Sequence, residues 1–66
     1  MNGLGVDPYG YMQRVAGRLD RTEDRAELER MLDDLEYLFE VTDPELQSLA
    51  EDLMDKVQRR IRALGG

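Results

Sequence analysis

The run Leu28-Glu29-Arg30-Met31-Leu32-Asp33-Asp34-Leu35-Glu36-Tyr37-Leu38-Phe39 places Leu28, Met31, Leu32, Leu35, Leu38 and Phe39 at offsets 0, 3, 4, 7, 10 and 11. A helix turns once every 3.6 residues or so, so these offsets gather the apolar side chains on one side. A strand, with its period of two, would scatter them over both faces. The segment is predicted to be an amphipathic helix over about residues 22–40, with Asp20 and Glu23, or Thr22, capping its start.

Downstream, Val41-Thr42-Asp43 reads as a short link, and Asp43-Pro44-Glu45 as a second start. It supplies a cap, a proline suited to the first helical position and an acid against the helix dipole. Leu46, Leu49, Ala50, Leu53, Val57, Ile61 and Leu64 then form another stripe, with Met54 on its flank. A helix over about 44–64 follows, roughly 30 Å long, with Gly65 expected at C′ just beyond it.

Upstream the signal is weaker. Asp7-Pro8 resembles a cap and first-turn proline, and Tyr9, Met12, Val15, Ala16 and Leu19 recur at helical spacing. Gly10 and Gly17 each cost about 1 kcal/mol against alanine, so this helix, about 8–19, needs a surface to pack on. Tyr9 and Tyr11 are expected to anchor it. Residues 1–6, with two glycines and no periodicity, read as a loose N-terminal arm. No segment has strand character. The expected architecture is one all-α domain over residues 1–66: an antiparallel helical hairpin with a short helix across it.

Such a hairpin leaves one side of its stripes exposed, and a chain of 66 residues has a small core. Self-association into a helical bundle, most simply a homodimer, would bury what the short helix leaves uncovered. No apolar run approaches the roughly 18 residues of a membrane span, and no signal peptide is visible, so the expected location is the cytoplasm.

The formal net charge is −6, and its distribution is uneven. Residues 1–30 carry five Arg against six acids; residues 31–55 carry nine acids and no base; residues 56–66 carry Lys56, Arg59, Arg60 and Arg62 and no acid. Folding back the two long helices would set that basic end level with Glu23, Asp24, Glu27 and Glu29, opposite signs that would help fix the register. The acidic balance argues against general binding to nucleic acid, whose phosphates need clustered Lys and Arg. A nucleic-acid-associated regulator using the basic closing turns is the alternative functional reading.

With no His and no Cys, the usual zinc sites and nucleophile–base pairs have no residues to form them. Ser48 lies on a predicted helix without a histidine base, and no enzyme activity, cofactor or metal is expected. The acids from Asp33 to Glu40 lack the alternation and central glycine of an EF-hand loop. The terminal Arg62-Ala63-Leu64-Gly65-Gly66 resembles the tail of ubiquitin-like modifiers, but their β-grasp body conflicts with a helical pattern throughout.

What remains is a surface. Glu36, Glu40 and Asp43 gather at the expected hairpin turn, where acids late in a helix oppose its dipole and like charges repel. Tyr37 stands among them, nearly opposite the apolar stripe, and tyrosine is enriched in interfaces. The expected function is a non-catalytic, self-associating adaptor or regulator. Its docking residues would be Glu36, Tyr37, Glu40 and Asp43, and its partner a protein with a basic surface.

Overall fold

The computed structural model describes residues 7–65, and the predicted arm at 1–6 lies outside them. The described residues form three helices, α1 (Pro8–Arg18), α2 (Arg25–Val41) and α3 (Pro44–Gly65), and no strand. The chain is all-α. At the start of α1, Asp7 is extended (φ −90°, ψ 112°) and Pro8 follows at the first helical position. The Asp7 side chain makes no capping bond; its carbonyl accepts the Tyr11 N–H at 2.8 Å instead. Gly17 is exposed, and a Cβ built there meets no heavy atom within 4 Å. Gly17→Ala is therefore expected to stabilise the fold by about 0.5–1 kcal/mol, read as a higher melting temperature.

α2 begins three residues later than expected, because Thr22, in the connection, bonds back to the end of α1. Its side chain is buried, and its hydroxyl donates at 2.9 Å to the Arg18 carbonyl at the end of α1, which also accepts the Arg21 N–H at 2.9 Å. Asp24 is the cap that opens α2: its carboxylate accepts the Ala26 N–H at 3.0 Å. Asp20 and Glu23 stay exposed and cap nothing. Asp24→Ala should cost about 1 kcal/mol, measurable by urea denaturation. The same connection is held from a distance, since the Arg60 guanidinium of α3 donates to the Thr22 carbonyl at 3.2 Å.

α2 runs one residue past its expected end, and the link shortens to Thr42-Asp43. Thr42 is extended (φ −97°, ψ 169°), and Asp43 precedes a proline, a position that disfavours helical backbone. The Gln47 side-chain amide donates to the Phe39 carbonyl at 2.9 Å, filling one of the acceptors left at the end of α2. At the other end, Gly65 is the last residue of α3 rather than the residue after it. A Cβ on Gly65 would come 2.8 Å from the Arg25 guanidinium, which places the start of α2 beside the end of α3.

The core joins all three helices. α1 gives Met12 and Val15, followed by Leu19; α2 gives Leu28, Met31, Leu35 and Leu38; α3 gives Ala50, Leu53 and Val57. α2 packs most extensively on α3, and α1 lies against both. Leu32, Phe39, Leu46, Leu49, Met54 and Ile61 are half-buried around this centre.

Charge does not set the register in the expected way. Arg59 and Lys56 pair one turn back along α3, with Asp55 at 2.9 Å and Asp52 at 3.4 Å. Arg25 pairs with Glu29 at 3.1 Å within α2, and Glu27 with Arg18 of α1 at 2.8 Å. Among the described residues no ion pair joins α2 to α3. A partner four residues away is already held at the right distance by the helix, so it captures the cation first. Each exposed pair is worth only about 0–1 kcal/mol, which leaves apolar packing to align the two long helices.

Candidate functional site

Glu36, Tyr37 and Glu40 lie on the last turns of α2, and Asp43 lies in the two-residue link. All four are exposed. Tyr37 is 60% exposed and Val41, one turn on, 57%, so two apolar side chains stand in solvent beside the acids. Glu36 and Glu40 are four residues apart on one face, and the last turn of α2 holds no basic residue to offset them. Near the carbonyl end of a helix that arrangement is unfavourable. Asp43 differs, because it sits at the start of α3, where its carbonyl accepts the Gln47 N–H at 3.2 Å and its negative charge suits the dipole.

The nine acids of residues 31–55 divide into two groups. Asp52 and Asp55 pair with Lys56 and Arg59, which offsets part of the repulsion that Glu51, four residues before Asp55 on the same helix, would otherwise feel. Asp34 accepts the Tyr11 hydroxyl at 2.8 Å. Asp33, Glu36, Glu40, Asp43, Glu45 and Glu51 have no ion pair and no side-chain hydrogen bond among the described residues.

Of the two tyrosines expected to hold α1 down, only Tyr11 does so. Tyr9 is 49% exposed, whereas Tyr11 is half-buried and packs on the core. Burial, and then the Asp34 carboxylate that takes its hydrogen bond, push the Tyr11 phenol well above its usual range. The Arg14 guanidinium lies 5.9 Å from the centre of its ring. Because the folded value is raised, this contribution is complete below about pH 10, where an unfolded tyrosine titrates, and is lost as pH climbs toward the folded value. Tyr11→Phe is expected to cost at most about 1 kcal/mol at neutral pH and to flatten the alkaline limb of a stability-against-pH curve.

A hollow of about 380 Å³ between α1 and α2 is lined by Tyr11, Arg14, Arg18, Glu27, Arg30 and Asp34, among others. Its polar groups are largely spent on each other, Arg18 on Glu27 and Tyr11 on Asp34. Among the described residues no three acidic side chains converge to hold a metal ion. Nor is any of these helices long and apolar enough to cross a membrane. At the basic end, Lys56 and Arg59 are paired and Arg60 is bound to a backbone carbonyl, which leaves Arg62 as the cation there without a partner among the described residues.

Comparison with protein families, with curated proteins and with solved structures finds no match for this chain.

Proposed function

We propose that the chain is a non-catalytic protein–protein interaction module: an antiparallel helical hairpin of α2 and α3, braced by α1, that offers an acidic tip to a basic partner surface. The observation that carries this reading is the set of unpaired acids at the end of α2. Glu36 and Glu40 repel each other and oppose the helix dipole, yet no cation among the described residues relieves them. A partner bringing Lys or Arg would. Exposed Tyr37 and Val41 add apolar contact area of the kind found in interface centres. Self-association is the other use of the uncovered apolar surface, and a homodimer is its simplest form.

The nucleic-acid reading has less support, because most of the basic side chains it needs are engaged within the fold. Affinity capture from the native cell extract separates these readings. The triple variant E36Q/E40Q/D43N should capture less of the partner than the unmodified chain does, with a loss that shrinks as salt rises. Equal capture with equal salt dependence would reduce the tip to a solvated face.

A further inference from the structure

α1 covers one flank of the α2–α3 pair, through Tyr11 to Asp34 and Arg18 to Glu27. Among the described residues the opposite flank is open. There Leu32 of α2 and Ile61 of α3 line a shallow groove with Glu29, Asp33, Gln58 and Arg62. One heptad along each helix toward the tip, Phe39 and Met54 continue the same line, and all four apolar residues are half-buried. Beside the line, Glu29, Asp33, Glu36 and Glu40 follow at spacings of four, three and four, which is one stripe down a helix. Of these only Glu29 has a cation, Arg25, among the described residues. Glu51 of α3 is likewise unpaired among them and falls on the same flank, one turn from Met54.

We infer that this groove receives a basic amphipathic helix from a partner protein, which completes a four-helix arrangement with α1, α2 and α3. The inference rests on the docking role proposed above and gives the partner a shape. An apolar line between two helices accepts a third helix through its residues at i, i+3, i+4 and i+7. The acids then demand Lys or Arg along the partner's edges. From Glu29 to Glu40 the stripe spans about 16 Å, which fits roughly 11–14 residues of helix. A second copy of this chain fits less well, because it would bring the same acids against one another.

The test uses the full chain labelled with nitrogen-15 and an 18-residue peptide of leucine and lysine with its leucines at helical spacing. A control peptide keeps the leucines and replaces every lysine with glutamate. The lysine peptide is expected to shift the amide signals of Leu32, Phe39, Met54 and Ile61 and to bind at least about tenfold more tightly than the control. The variant D33N/E36Q/E51Q, changed only at exposed positions, should lose about tenfold in affinity. Equal binding of both peptides would overturn the inference. So would shifts at those four residues that depend on protein concentration without peptide, since a second copy would then be the occupant. Shifts confined to residues 36–43 would overturn the groove and leave the tip standing; no shifts at all would remove both.

Discussion

Replacing Leu35 or Leu53 with alanine is expected to leave much of the population unfolded at about 37 °C. Leu35 is 0% exposed and Leu53 2%, each in the middle of its helix. Shortening a buried leucine removes its transfer free energy and opens a cavity that neighbours refill only in part, costing about 2–5 kcal/mol. A single core of this size supplies about 3–5 kcal/mol in all. One substitution therefore consumes most of what holds the chain together. Helix content by circular dichroism and the urea midpoint are the measurements. Undisturbed values in both variants would mean that these leucines do not form the centre of the core.

Met12→Ala should be nearly as damaging, although α1 is the shortest helix and carries two glycines. Met12 is 0% exposed, and α1 reaches the core through Met12, Val15 and, at its end, Leu19, with half-buried Tyr11 packed beside them. Losing the methionine costs about 2–5 kcal/mol by the same reasoning. The core that α2 and α3 share with α1 would then lose one of its fully buried side chains, so α1 and the long helices should melt together. Hydrogen exchange tells this apart from a local effect. If α1 amides lost protection while those of α2 and α3 kept theirs, α1 would be an accessory rather than part of the cooperative unit.

The long helices were legible because periodicity, caps and proline all agreed on them: Leu28 to Phe39 on one side of the link, Leu46 to Ile61 on the other. The errors fall where one residue type can serve two local purposes. Thr22 suits the start of a helix, but its hydroxyl closes α1, and only the packed structure decides between these uses. The ion pairs were misassigned because sequence shows which charges are available and not which partner is already held within reach. Tyr11 on Asp34 joins residues far apart in the chain and has no local signature. At the candidate site, the exposure of Glu36, Tyr37 and Glu40 was legible from the helical period and that of Asp43 from its place in the link, whereas the open flank beside them was not. It depended on which side of the long helices α1 chose to cover.

Glu36 and Glu40 are proposed to serve contact with a partner and to work against the stability of the fold. Relieving one like-charged pair and one unfavourable dipole contact should return about 0.5–1 kcal/mol at most. For a chain of this size that is a rise of several degrees in melting temperature, about 4–8 °C per kcal/mol. Asp43 is left unchanged, because its negative charge suits the dipole at the start of α3. The most direct measurement is the thermal melt of E36Q/E40Q beside the unmodified chain at low salt. The account predicts an equal or higher melting temperature for the variant, with the difference shrinking as salt is added. A clear fall would contradict it, because these acids would then be holding the fold together.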